Sequence, residues 1–215
     1  MRLNIIVIIT LFLIISCEKT KNPENEDKFT LMDTLTLYVS GDFLDNDLEY
    51  SYDLNEDSIA DIKFFIGEQL GGTYTFKYSY ITGLNDSKIA YFQKYDTTWI
   101  YIATDPYYQD NDTSWYYHSF KQVLPLIIHD TIDARLNFSN EQLIIAEIDD
   151  PHTYDWPSDY YTFIDRNELI GEIFYIGIEL DPGYAWLKIK ALDYNKIVIY
   201  KFGYTNESNN LIIKE

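Results

Sequence analysis

Between two β-like stretches the chain reads Asp53-Leu54-Asn55-Glu56-Asp57-Ser58-Ile59-Ala60-Asp61. Side-chain oxygens recur at every second position through Asp53, Asn55 and Asp57. The Ile59 carbonyl follows in the same rhythm, and Asp61 closes the series. A hard cation such as calcium takes six to eight oxygen ligands, and alternate oxygen-bearing residues on a tight loop are one way to supply them. The chemistry on offer is therefore calcium coordination by Asp53, Asn55, Asp57, the Ile59 carbonyl and Asp61. The competing reading is a polar turn, because Asp and Asn also bond their own backbone. Ser58 stands at the sixth position, where a calcium loop places glycine for its positive φ. Phe64 stands at the twelfth, in place of a bidentate glutamate.

Two further stretches combine rings with carboxylates. Residues 105–118 hold Tyr107, Tyr108 and Trp115, and residues 149–159 hold Trp156. Aromatic side chains with polar tips suit contact with a glycan or another protein. The rival is a small glycan-directed hydrolase using paired carboxylates from the same stretches, although 35 acids in the chain make nearby pairs common by chance. The third reading is two long loops whose aromatics cap the core. Other catalytic signals are weak. His118, His129 and His152 show no metal-ligand spacing, and no Gly-x-Ser-x-Gly, P-loop or Gly-x-Gly-x-x-Gly is present.

These residues are carried by what reads as β structure. The chain contains 21 Tyr, 12 Phe and 4 Trp, and aromatic and β-branched residues favour strands. Leu35–Val39, Ile62–Ile66 and Thr73–Tyr80 alternate with period two. Further strands are expected at 47–53, 88–94, 98–103, 126–132, 143–148, 160–164, 172–180, 184–190, 196–202 and 211–213. The best helix candidate is Trp115 to Leu124. The expected fold class is all-β: an antiparallel β-sandwich or curled sheet of many short strands, with at most one short helix. One β domain is expected over residues 29–215.

The N-terminus carries a separate message. Arg2 precedes an apolar run from Ile5 to Ile15, interrupted only by Thr10. At about eleven residues it falls short of the roughly 20 that span a bilayer, and it has the size of a signal-peptide core. It ends in Ile14-Ile15-Ser16-Cys17, with the only cysteine of the chain. This resembles the lipobox of bacterial lipoproteins. The resemblance implies removal of residues 1–16, a diacylglycerol thioether on Cys17, and residence in the cell envelope as an outer-membrane lipoprotein with surface exposure open. Residues 17–28 have no apolar member beyond Cys17 and are expected to act as a tether. The net charge is −19, and loss of Arg2 makes the mature chain one unit more negative. Such a chain is repelled by phosphate backbones and by anionic lipid heads, which argues against nucleic-acid binding. The expected partners are the membrane through Cys17 and a glycan or another envelope protein.

The C-terminal third carries a second resemblance. Tyr175-Ile176-Gly177, then Tyr184-Ala185-Trp186-Leu187, then Lys196–Tyr204 and Leu211-Ile212-Ile213 resemble a β module of secreted bacterial proteins of unknown function. Such proteins often carry an upstream Asp-rich loop followed by an aliphatic-x-Phe strand, matched here by 53–64. Ala185 and Ser58 replace the usual glycines. The resemblance implies a fold and a secreted location, and no activity. It places Trp186 in the core, on a strand that pairs with 196–202 around Asp193-Tyr194-Asn195.

Overall fold

A computed structural model describes residues 28–40, 46–71, 74–103, 111–151, 161–162, 164–206 and 210–214. The strands in chain order are β1 (Lys28–Tyr38), β2 (Asn46–Tyr52), β3 (Ile62–Gly71), β4 (Tyr74–Gly83), β5 (Lys88–Ala103), β6 (Asn111–Val123), β7 (Thr131–Ile132), β8 (Phe138–Ser139), β9 (Leu143–Pro151), β10 (Tyr161–Thr162), β11 (Ile164–Arg166), β12 (Ile173–Glu179), β13 (Tyr184–Asp193), β14 (Lys196–Thr205) and β15 (Leu211–Ile212). No helix occurs among the described residues, and the all-β expectation is met.

Ten of the strands form one path, β1-β14-β13-β12-β5-β6-β9-β4-β3-β2. The pairs are antiparallel except for a single parallel bridge, Gln122 to Ile144, between β6 and β9. The sheet curls until it is nearly closed. Its inner face buries Leu37 of β1, Ile62, Phe64 and Ile66 of β3, and Ile197, Ile199 and Phe202 of β14 in one cluster. Alternation explains this: Ile62, Phe64 and Ile66 share a face because successive strand residues point to opposite sides. The β13–β14 turn helps to bridge the curl. Asn195 Nδ2 donates to the Val39 carbonyl at 2.7 Å and to Glu68 Oε2 at 2.9 Å.

The hairpin expected around Asp193-Tyr194-Asn195 is present. Trp186 is fully buried, and β13 pairs with β14 from Tyr184–Thr205 to Asp193–Lys196. Trp186 lies on the outer face of the sheet, with a second core of its own. Leu126, Ile132, Tyr175, Tyr184, Leu211 and Ile213 pack round it. Gly177, paired with Trp186, leaves room for this cover, since a methyl group there would come 3.0 Å from Leu126 Cδ1.

Three local expectations are corrected. Trp115 to Leu124 is not helical: Trp115–Val123 belong to β6, which pairs with β5 from Tyr91–Val123 to Ala103–Asn111. A long antiparallel partner and a run of aromatic β-formers outweigh a short helical pattern. For the same reason the expected strands 88–94 and 98–103 are one strand, β5, and residues 111–118 are strand rather than loop. The expected strand 126–132 reduces to an isolated bridge, Leu126 with Tyr175, and the two residues of β7.

Candidate functional site

The Asp-rich loop sits between β2 and β3, which pair in register from Asn46–Glu68 to Tyr52–Ile62. Its aspartates fold the loop on itself. Asp53 accepts from the Glu56 and Ser58 amides, both at 2.7 Å. Asn55 Oδ1 accepts from the Asp57 amide at 3.1 Å, and Asp57 Oδ1 accepts from the Ile59 amide at 2.8 Å. Ser58 takes φ 72°, and Glu56 takes φ 64°. The left-handed sixth position is therefore realised with serine, at the modest cost a non-glycine residue bears there.

Asp61 plays a different part. It is buried, accepts from the Leu54 amide at 2.7 Å, and accepts from Ser87 Oγ at 3.2 Å. Burial pushes its carboxyl above the ordinary value, against the lowering effect of those hydrogen bonds. The backbone completes the joint: Leu84 N–H donates to the Asp61 carbonyl, and Asn85 Nδ2 donates to the Ala60 carbonyl. Asp61 thus pins the loop to the 84–87 turn.

Calcium fits the donor chemistry of the loop, since each carboxylate oxygen that accepts one N–H keeps further lone-pair capacity. The fit in geometry is partial. Among the described residues no three His, Cys, Asp or Glu side chains gather as a metal-holding group, and Phe64 is buried in the core. An ion in this loop would have to draw Asp57 or Asp61 off a present partner.

Beside the loop, Asn85, Asp86, Lys88, Asn140, Glu179, Leu180 and Asp181 line a polar cleft of about 320 Å³. Glu179 is held there by Lys88 at 2.7 Å.

The outer face of β4, β9, β11 and β6 carries a polar cluster that the sequence reading did not find. Arg166 donates to Glu147, Tyr80 Oη donates to Glu147 Oε1 at 2.9 Å, and the guanidinium lies 4.0 Å from the Phe120 ring centre. Glu147 and Arg166 are both buried. Burial, then the charge of Glu147, pushes the Tyr80 hydroxyl far above its ordinary value, so it serves as a donor. Tyr78 stacks on Tyr80 at 4.7 Å and lies against Gly67, where a methyl would meet Tyr78 Cζ at 2.3 Å. Neither spacing nor periodicity joins Arg166 to Glu147 in the sequence; they meet only because β11 pairs with β9.

Of the candidate contact residues, Trp115 lies on β6, paired with Trp99. Tyr107, Tyr108 and Trp156 lie outside the described residues, as does Cys17. The structure therefore brings Asp53, Asn55, Asp57, Ile59 and Asp61 together in one loop, while Trp115 belongs to another element, β6. No family model, no curated protein and no solved structure matches this chain.

Proposed function

We propose that this protein is a lipid-anchored cell-envelope protein whose β domain acts as a noncatalytic binding or structural module. The observation that carries the reading is Ile14-Ile15-Ser16-Cys17, the end of a short apolar run meeting the only cysteine of the chain. Each buried CH₂ adds about 0.8 kcal/mol, and two or more acyl chains make anchoring stable. Expression of the full chain in a diderm bacterium should place the mature protein in the membrane fraction. Cys17→Ser should leave the leader uncleaved and the chain without acyl groups. A Cys17→Ser protein processed and fractionated like wild type would contradict the proposal.

Calcium in the Asp53–Asp61 loop is part of the same proposal. Its support is the oxygen series and the left-handed Ser58. Hydrogen bonds to charged groups contribute roughly 1.5–3 kcal/mol, so an ion that displaces those of Asp61 binds weakly. Millimolar Ca²⁺ should raise the melting temperature, Asp57→Ala should abolish the rise, and Ser58→Gly should enlarge it. A melt indifferent to Ca²⁺ and to chelator in wild type and Ser58→Gly alike would leave the loop as a turn.

A further inference from the structure

Five of the eleven lysines among the described residues, Lys63, Lys77, Lys88, Lys94 and Lys121, each contact a glutamate at 2.7–2.9 Å. One face gathers several of the others. On the outer side of β12–β13–β14–β1, Lys190, Lys196 and Lys201 have no carboxylate partner among the described residues, and Lys188 stands beside them.

The registers fix this face. Ile173 pairs with Lys190, and Lys190 with Val198; Tyr175 pairs with Lys188, and Lys188 with Lys201; Lys196 pairs with Tyr38. Paired residues of antiparallel strands share a side, and the intervening Leu187, Ile189 and Ala191 are in the inner core. Asp193, opposite Lys196, is an acid at the hairpin end of this face; the other outward positions between the lysines include Ile173, Tyr175, Gly177, Trp186, Val198 and Thr36. Lys196 lies 5.0 Å from the Tyr38 ring centre and Lys201 5.8 Å from that of Trp186. These are ammonium-to-ring distances, so both cations sit over aromatic faces at the half-buried margin of this side.

Large apolar side chains stand exposed on the same face. Tyr38 is 52%, Ile173 50% and Ile127 66% exposed. Ile127, Ile128, Ile173, Tyr175 and Lys188 line a shallow cleft of about 370 Å³. Cations ringed by exposed aliphatic and aromatic groups fit the boundary between lipid headgroups and acyl chains.

We propose that this face docks on an anionic lipid bilayer, laying the β domain against the membrane that anchors it. The proposal rests on the lipid-anchored reading for proximity. β1 is the sheet edge next to β14 and begins at Lys28. The eleven residues from Cys17 to Asp27 reach at most about 36–40 Å when extended, so the anchor holds the lysine face within a short span of the bilayer. Each lysine near an anionic surface adds roughly 1 kcal/mol, about fivefold in partition. The attraction fades within a Debye length, about 10 Å at 0.1 M salt. The net negative charge of the rest of the molecule is repelled by anionic lipid, which favours an approach by this face.

The test uses the purified mature protein, carrying whatever modification the cell attaches, with vesicles of phosphatidylcholine alone or with about one-third phosphatidylglycerol. Flotation reads the anchor, and labelling of lysines by a membrane-impermeant amine reagent reads the face. Expected is flotation with both vesicles, with Lys190, Lys196 and Lys201 labelled at least threefold less on the anionic ones. Labelling at Lys63 and Lys88 should stay equal, and 0.5 M NaCl should remove the difference. Lys190→Glu/Lys201→Glu should float equally well while losing protection at Lys196. Flotation with the anionic vesicles alone, with the same protection, would refute the anchor and keep the docking face. Flotation with both but equal labelling would refute the docking face and keep the anchor, and protection seen only in intact envelopes would assign the face to a protein partner instead. Flotation with neither would refute both.

Discussion

The curled sheet covers its outside in two ways. Over β12 and β13 the cover is apolar: Trp186 and Tyr175 meet edge to face at 5.5 Å beneath Leu126, Ile132, Leu211 and Ile213. Over β4, β9 and β11 the closure is ionic, with Glu147 held by Arg166 and Tyr80 against Phe120. Both Trp186 and the Glu147–Arg166 pair are buried, yet their energetics differ. Apolar burial gains about 25 cal/mol per Å² removed from water, whereas a buried ion pair must first offset several kcal/mol of desolvation per ion. The first cover stabilises the fold. The second holds β11 in register on β9 and costs stability chiefly when it is half-broken.

The largest effect should come from Trp186→Ala, which removes the centre of the apolar cover and should lower stability by about 3–5 kcal/mol. Urea melts read this as a lower midpoint at unchanged slope. An unchanged midpoint would mean that Trp186 is exposed.

Glu147→Ala leaves Arg166 buried without its anion and should cost about 3–5 kcal/mol. The paired change Glu147→Met/Arg166→Met sharpens the comparison, because it removes both charges and leaves apolar side chains over Phe120. It should be far less harmful than the single change, near neutral by melting. A double variant as unstable as Glu147→Ala would mean that the ionic closure stabilises as the apolar one does.

Asp61 gives a smaller effect with a pH signature. Asp61→Ala strands the buried Leu54 amide and should cost about 1–3 kcal/mol. Asp61→Asn keeps an acceptor for Leu54 and offers Ser87 a donor. Burial raises the folded pKa of Asp61, so the protonated carboxyl favours the folded state. That contribution is fully present below the unfolded value, near 3.9, and is lost as pH rises through the folded one. Asp61→Asn should therefore exceed wild type in stability at neutral pH, with the gap closing as pH falls toward about 3.5. A gap independent of pH would mean that Asp61 titrates as a solvated carboxylate.

The same contrast explains what the sequence could disclose. The apolar cover was half legible: the hairpin expected around Tyr184-Ala185-Trp186 is present, and Trp186 is buried on it. What lies over it was not, because residues 124–139 pack as short turns with no period to read. The ionic closure was invisible, since a Glu–Arg pair 19 residues apart becomes an interaction only when β11 is laid on β9. β6 shows the opposite failure: a local helical pattern yields to a partner strand that no window of sequence contains. The Asp-rich loop was legible as a turn because its hydrogen bonds lie within a few residues, whereas the anchoring of Asp61 to Ser87 depends on a distant turn.

The proposed anchoring turns on Cys17. Intact-mass and peptide mass spectrometry of the protein purified from membranes of a diderm host should find a mature chain beginning at Cys17, carrying a diacylglycerol thioether, with residues 1–16 absent. A chain that retains Met1 to Ser16, with Cys17 free of acyl groups, would contradict it.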